Sequence, residues 1–362
     1  MERLKKLRRS IKNIDCQLLD LIKKRMEISK EVGRLKKQAG IPLRDWSVEK
    51  DVIAHAINYA QKQRLDTSFI KSLITKIIEH SRFQQECLHY SGYRGKKENI
   101  LIIGGLGAMG RWFAYFFQNQ GHHVEIQDIK PSGLKDFKYH QDIKSALNKK
   151  SIALIATPLS IIPTIIRELM DLNYTGIIVD IASVKSHILP VVKEAKENGL
   201  KITSIHPMFG PSCHTLNDKV ICLCDCGCPE ANKKIVEFFR DTAVQLISLS
   251  FEDHDRLIAY VLGLSHFVNI FFVKNLLDSG YSFKELMRVA STTFNAQMTT
   301  SKSVINENPE LYFEIQFLNP YREELYNLLQ RSLQFLITLI EQNKKDDFIK
   351  LFVQGRGYLD EY

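Results

Sequence analysis

The run Gly104-Gly105-Leu106-Gly107-Ala108-Met109-Gly110 carries the spacing GxGxxG at Gly105, Gly107 and Gly110. The apolar stretch Asn99-Ile100-Leu101-Ile102-Ile103 before it reads as a buried strand, and Arg111–Phe117 after it reads as the start of a helix. A strand, a glycine turn and a helix N-terminus together present backbone amides to a pyrophosphate, which is the chemistry of dinucleotide binding. Asp128 stands 23 residues after Gly105, where an acid takes the ribose hydroxyls. An acid there favours NAD over NADP because it repels a 2′-phosphate, although Lys130 close by weakens the preference. Thr157, in Ala156-Thr157-Pro158, falls at the carboxyl end of a later strand. The expected cofactor is therefore NAD, with Gly105, Gly107, Met109, Gly110, Asp128 and Thr157 as its contacts. The plainer alternative, a glycine turn in a non-binding α/β domain, does not account for the whole strand–turn–helix–strand–acid context.

A second chemical segment is Ser204-Ile205-His206-Pro207-Met208-Phe209-Gly210-Pro211. It places His206 on a loop at a strand's carboxyl end, where an imidazole can polarise a substrate hydroxyl. Upstream, Val179-Asp180-Ile181-Ala182-Ser183-Val184-Lys185 offers a hydroxyl and a cation at another strand end. A lone loop histidine is more often inert, so spacing alone does not make His206 catalytic. Two further clusters carry less. Cys222, Cys224, Cys226 and Cys228 have single-residue spacers unlike zinc pairs; in a strand their thiols would share one face, and no metal is expected. His254-Asp255 reads as part of an acidic first helical turn with Glu252 and Asp253.

These residues need elements to position them. The 362 residues, 44% hydrophobic, suffice for two or three cored domains. No run of 18 or more apolar residues occurs and the N-terminus lacks a signal peptide's apolar region, so neither a membrane span nor export is expected. Seven cysteines without an export signal fit a reducing cytoplasm. Apolar residues from Leu4 to Leu35 recur at spacings of three, four and seven, predicting one long amphipathic helix over 1–39 that Gly40-Ile41-Pro42 ends. Helices follow around Val48–Arg64 and Ser68–His89. The exposed stripe of the first helix calls for a partner, a second copy of the chain. Residues 91–98 read as a polar linker. Strands at Ile100–Ile103, Val124–Gln127, Ile152–Ala156, Ile177–Asp180, Lys201–Ser204 and Val220–Leu223 alternate with helices, as in a largely parallel sheet. The rest is helical. The expected fold is multidomain: an all-α module (1–90), the linker (91–98), an α/β Rossmann domain (99–250) and an all-α C-terminal domain (251–362).

VDIASVK and IHPMFGP, behind GGLGAMG, resemble the prephenate dehydrogenase family, and the N-terminal module resembles the all-helical chorismate mutases of the AroQ type. The chain is thus similar to bifunctional enzymes of tyrosine biosynthesis that join the two activities. The resemblance implies that His206 is the catalytic histidine, hydrogen-bonded to the 4-hydroxyl of prephenate. It places Ser183 near that histidine and the nicotinamide, and His266 in the prephenate pocket. Arg322 is the candidate for the ring carboxylate, reached by a one-residue shift in the alignment. It also implies a homodimer built on the C-terminal helices and feedback by tyrosine.

A chorismate mutase needs no nucleophile, only a folded dicarboxylate and positive charge near the breaking ether bond. Arg25 and Lys36, eleven residues apart, lie about 20° apart around a helix and share a face, while Arg8 lies about 100° from Arg25. The resemblance assigns Arg8 and Arg25 to the carboxylates, with Arg8 serving the partner subunit. It assigns Lys36 and Gln85 to the ether oxygen, Glu49 to the ring hydroxyl, and Asp45 and Ser81 to further contacts. Val48 departs from relatives that carry arginine there. Residues 1–98 hold 23 Lys/Arg against 12 Asp/Glu, a net +11, and the remainder is net −2. That basic module suits an anionic substrate. Two rivals remain: a prephenate or arogenate dehydrogenase whose helical module only dimerises or regulates, and a nucleic-acid-binding module fused to a redox sensor. The first helix lacks the interleaved aromatics that the second rival needs, so neither a nucleic acid nor a membrane is an expected partner.

Overall fold

The computed structural model describes residues 1–39, 46–90, 93, 95–131, 135–213, 216, 219–240 and 242–361; the side chains of residues 37, 46, 47, 49 and 82–90 lie outside that description. Two compact units result: Met1–Ser183 with Val191–Leu249, and Val184–Pro190 with Ser250–Tyr362.

The first unit begins with α1 (Glu2–Ala39), α2 (Trp46–Lys62) and α3 (Thr67–Tyr90), with α3 packed against both others. Met26, Ala60 and Ile78 are buried in this module. Leu7, Ile11, Ile14, Leu18 and Leu21, on the predicted stripe of α1, are all more than half exposed. The single chain thus leaves that apolar face uncovered, as its periodicity predicts.

The sheet follows: β1 (Asn99–Ile103), α4 (Ala108–Asn119), β2 (His123–Gln127), β3 (Lys138–His140), α5 (Ile143–Ala146), β4 (Ile152–Ile155), α6 (Ile162–Asp171), β5 (Ile177–Asp180), α7 (Leu189–Glu197), β6 (Lys201–Pro207), β7 (Val220–Cys224), α8 (Pro229–Phe239) and β8 (Gln245–Leu249). Its order is β3-β2-β1-β4-β5-β6-β7-β8, parallel except where β6 meets β7. Strands β1, β4 and β5 are covered on both faces, which is why they read as unbroken apolar runs. Two strands escape that signal. Lys138-Tyr139-His140 is short and polar, and Gln245–Leu249 is only half-buried; both are edge strands covered less fully. The core beneath helices α4 and α8 is aromatic, with Phe113, Phe117, Phe238 and Phe239 buried against Ile100, Ile102 and Ile126.

The end of the expected linker is not a solvated tether. Tyr93 is buried, donates to Glu237 Oε1 at 2.9 Å, and packs on His122 and Phe238. Glu98, also buried, accepts from Lys234 Nζ at 3.0 Å and from Ser151 Oγ at 2.7 Å. A polar stretch reads as a linker because its partners are invisible locally, two of them, Lys234 and Glu237, lying more than 130 residues away.

The second unit continues helically from α9 (Phe251–Ile258) through a π-helical segment, Ala259–Leu264, into α10 (Ser265–Asp278). Then come α11 (Phe283–Arg288), α12 (Thr292–Ile305), α13 (Pro309–Leu318), α14 (Arg322–Glu341) and α15 (Lys345–Asp360). Although no unbroken apolar run reaches 18 residues, the continuous 28-residue helix Phe251–Asp278 is by length and composition long and apolar enough to cross a membrane. It buries four polar side chains: His254, Asp255, His266 and Asn269.

His122 gives the fold a pH dependence. Burial, aided by Lys97, pushes its pKa down from 6.5 to about 4. The unfolded chain takes up that proton at a higher pH than the folded one, so the associated stability is present above pH 6.5 and is lost as the pH falls towards 4. The thermal midpoint should drop across this window in the wild type and drop less in His122→Gln; identical slopes by scanning fluorimetry would refute this.

Candidate active sites

The sheet order reverses direction between β1 and β4, where an open α/β sheet forms its binding crevice. The glycine loop leaves β1 at this point. Gly104 adopts φ +80°, and a Cβ there would stand 2.6 Å from the Ala156 carbonyl oxygen at the end of β4. A Cβ on Gly105 would meet Ile126 Cβ at 2.6 Å, and one on Gly110 would strike the Gly104 carbonyl oxygen. Side chains are thus excluded at these three positions of the loop. Helix α4 starts with Gly107 as N-cap and no side-chain cap, so its first amides remain available to an anion. Asp128 lies at the end of β2, as its spacing predicts. Its Oδ2 accepts from the Leu106 N–H at 3.0 Å and its Oδ1 from Lys130 N–H at 3.1 Å, which binds the acid to the loop itself. The buried Thr157 Oγ1 has no hydrogen-bond partner among the described residues. A cradle without Cβ atoms, uncapped amides, a ribose acid and an unsatisfied hydroxyl fit NAD. The partly buried Met109 side chain packs against the core.

Ser183 and His206 emerge from neighbouring strands. Asp180 and Ser204 are partners in the β5–β6 register; Ser183 lies three residues beyond the first and His206 two beyond the second. The expectation of a loop histidine is corrected. His206 is inside β6, 3% exposed, opposite Cys222 of the antiparallel β7. The strand runs on to Pro207 because β7 supplies pairing partners that no local pattern announces. The segment after it is held by Trp112 of α4, whose Nε1 donates to the Cys213 carbonyl at 2.7 Å and whose ring packs 5.1 Å from Phe209. The histidine segment and the glycine loop's helix are therefore tied together. The cysteine run is also corrected: only Cys222 and Cys224 belong to β7, while Cys226, beyond the strand, donates to the Cys224 carbonyl. Among the described residues no three His, Cys, Asp or Glu side chains gather as metal ligands.

In the second unit, His266 follows the π-helical segment, a distortion that often marks functional positions. The carbonyl of Gly263 accepts from Gln316 Nε2 at 2.9 Å, and Gln316 accepts from Tyr326 Oη at 3.0 Å. His266 is buried and stacked on Tyr312 at 4.1 Å; burial pushes its pKa to about 4, and its Nδ1 has no partner among the described residues. A neutral imidazole with a free ring nitrogen suits a ligand contact. Arg322, first residue of α14, donates to the Phe317 carbonyl and lies 4.9 Å from that ring's centre. Asp255, read from the sequence as part of an acidic first turn, has a further part in the fold. It is fully buried, and its carboxylate accepts from the backbone N–H of Lys185 at 2.8 Å and of Ser186 at 2.6 Å.

In the helical module Arg25 reaches Ser81 of α3, Nη1 to Oγ, at 2.5 Å. Ser81 Oγ in turn donates to the Ile77 carbonyl at 2.8 Å. Burial lowers the Arg25 pKa, and the guanidinium is held half-buried facing α3. Lys36 is half-buried on α1, and Arg8 is exposed further along that helix. Asp45 and the side chains of Glu49 and Gln85 lie outside the described residues.

Three family models match the chain in succession: chorismate mutase type II over residues 7–86, the prephenate dehydrogenase nucleotide-binding domain over 120–248, and the prephenate dehydrogenase dimerization domain over 250–354. The second match begins after the glycine loop, so the loop rests on its own geometry. The T-protein of Enterobacter agglomerans is 26% identical over 96% of this chain and 90% of its own length. That of Haemophilus influenzae is 22% identical over 100% and 94%. A crystal structure of prephenate dehydrogenase from A. aeolicus, in complex with hydroxyphenyl propionate and NAD+, has the same fold over 73% of this chain and 97% of its own, with a TM-score of 0.61 and 18% identity. The chain belongs to the fused chorismate mutase/prephenate dehydrogenases, with a helical mutase domain ahead of a Rossmann domain and a helical dimerization domain. It has both activities, chorismate mutase and NAD-dependent prephenate dehydrogenase, in the tyrosine pathway.

The loop geometry gives a direct test. Gly110→Ala puts a Cβ against the Gly104 carbonyl and should weaken NAD+ binding by at least about tenfold in a fluorescence titration. Chorismate consumption should be unchanged. Wild-type NAD+ affinity in the variant would contradict the cradle.

Proposed function

We propose that residues 1–90 rearrange chorismate to prephenate and that residues 99–250 with 251–362 oxidise it, with 91–98 between them. The product is 4-hydroxyphenylpyruvate, with CO2 and NADH. The observation that carries this reading is the presence, in one chain, of the half-buried Arg25–Ser81 pair and of the glycine loop held by Asp128.

In the mutase step Arg25 and Arg8 hold the substrate's two carboxylates, Arg8 reaching the site of a second copy. Lys36 and Gln85 place positive charge and a hydrogen bond on the ether oxygen, Glu49 takes the ring hydroxyl, and Asp45 and Ser81 complete the contacts. Ser81 supports this by orienting Arg25, so that a charge already desolvated needs no rearrangement when it meets a carboxylate.

In the second step, NAD+ when bound accepts the hydride from the ring carbon that bears the hydroxyl. His206 accepts the hydroxyl proton as that oxygen becomes a carbonyl. Ser183 orients His206 beside the nicotinamide position. The ring carboxylate departs as CO2, its electron pair completes the aromatic ring, and the carbonyl oxygen takes the proton back from His206 to become the phenol hydroxyl. Arg322 holds that carboxylate before it leaves, and His266 lines the pocket. Gly105, Gly107, Gly110 and the Met109 backbone seat the pyrophosphate, Asp128 the ribose, and Thr157 a further cofactor group. Dimerisation through residues 251–362, a cytoplasmic location and inhibition by tyrosine at or near the dehydrogenase cleft complete the reading.

Chorismate with NAD+ should yield NADH and CO2, and chorismate alone should yield prephenate. Failure to consume chorismate without NAD+ would leave the helical module a dimerisation or regulatory element. Arg25→Ala should lower mutase turnover by about a hundredfold or more, and Ser81→Ala by less, with dehydrogenation of added prephenate unchanged. His206→Asn should lower dehydrogenase kcat by about a hundredfold or more while NAD+ binding persists. Near-normal turnover would remove His206 from its role.

A further inference from the structure

Asp255 makes more contacts to other segments than an acid in a first helical turn requires. Its Oδ1 accepts from the Lys185 N–H and its Oδ2 from the Ser186 N–H, 70 and 69 residues away in sequence. His254 Nδ1 lies 2.7 Å from Oδ1, so the imidazole donates from that nitrogen and fixes the carboxylate's rotation. The backbone carbonyl of Asp255 accepts from Asn319 Nδ2 at 2.9 Å. Asn319 Oδ1 accepts from the Tyr321 N–H at 2.9 Å, and its own carbonyl from the Arg322 N–H at 3.2 Å. His254, Asp255 and Lys185 are fully buried, and Asn319 nearly so.

Two adjacent backbone amides each meet a different oxygen of one acid. A carboxylate accepts at both, whereas a side-chain amide would turn an NH2 donor towards one of them. Burial opposes the charge on Asp255, yet the hydrogen bonds from His254, Ser186 and Lys185 outweigh it and hold its pKa below the ordinary range. The charge therefore persists in the interior because donors converge on it. The segment it grips lies two residues along the chain from Ser183. The turn tied to its carbonyl leads into Arg322.

We propose that Asp255, oriented by His254, is a positioning residue for prephenate dehydrogenation: one buried residue sets the segment that follows Ser183 and the turn that presents Arg322. It touches no substrate. Its effect is on geometry, and displacements of an ångström in such a site cost turnover without costing the fold. The proposal rests on the dehydrogenase reading given above.

The test uses the full-length protein. Asp255→Asn should lower kcat/KM for prephenate by at least about tenfold, with the NAD+ dissociation constant within about threefold of wild type and the dimer intact. His254→Leu, which removes the orienting donor, should follow Asp255→Asn. His254→Asn, which puts an N–H near the same place, should recover at least half of the wild-type value. A folded Asp255→Asn with unchanged kcat/KM, or with NAD+ binding lost in parallel, would overturn the proposal. Should Asp255→Asn not fold, equal activities of His254→Leu and His254→Asn would overturn it. A wild-type protein that forms no NADH from prephenate would instead bring down the functional reading, and the proposal with it.

Discussion

The nucleotide half of this enzyme depends on one close approach of backbone to backbone. Where β1 ends, Gly104 turns with positive φ so near Ala156 of the adjoining strand end that no Cβ fits, and Gly110 passes equally close to Gly104. That approach sets where α4 begins, with its first amides left without a side-chain cap beside the β1/β4 switch. Asp128 closes the arrangement by binding the Leu106 amide. The aromatic core below, with Phe113 and Phe117 of α4 against β1, makes the turn rigid, because close-packed rings leave the helix no alternative seat.

The two modules meet related chemical demands with different means. Chorismate and prephenate are both dicarboxylates, and the net charge of +11 over residues 1–98 gives the first module an attractive field for them. Field alone does not orient a substrate. A fixed charge is needed as well, and Ser81 and partial burial hold the Arg25 guanidinium in one place. The C-terminal unit contains a set of buried polar residues: His266 on Tyr312, Asn269 hydrogen-bonded to Ser301, and Asp255 with His254. Buried polar groups are costly unless satisfied, and the hydrogen bonds made by Asn269 and Asp255 are what allow them on so apolar a helix.

Much of the architecture was legible because its signals are local. The glycine spacing, the apolar runs of strands covered on both faces and the heptad-like stripe of α1 each declare their element within a few residues. The same locality explains the omissions. Edge strands β3 and β8 lack a buried-face pattern, and the docked Tyr93 looks like linker until Glu237 is brought to it. Among the candidate residues, those defined by spacing, such as Asp128 and the glycines, lie where their spacing puts them. His206 was placed one structural step off because its strand is extended by β7, a partner that runs the other way.

Residue types and spacing alone determined the three-part plan, the cofactor loop and the pairing of a basic helical module with an oxidising one, because those follow from periodicity and from contacts between near neighbours. The tertiary structure alone decided that Cys222 faces His206 across an antiparallel ladder, that Trp112 ties the histidine segment to α4, and that Asp255 is an interior anchor. Each of these joins segments far apart in sequence. A hydrogen bond across 70 or 101 residues leaves no trace in the local pattern; it exists only once the chain has closed on itself.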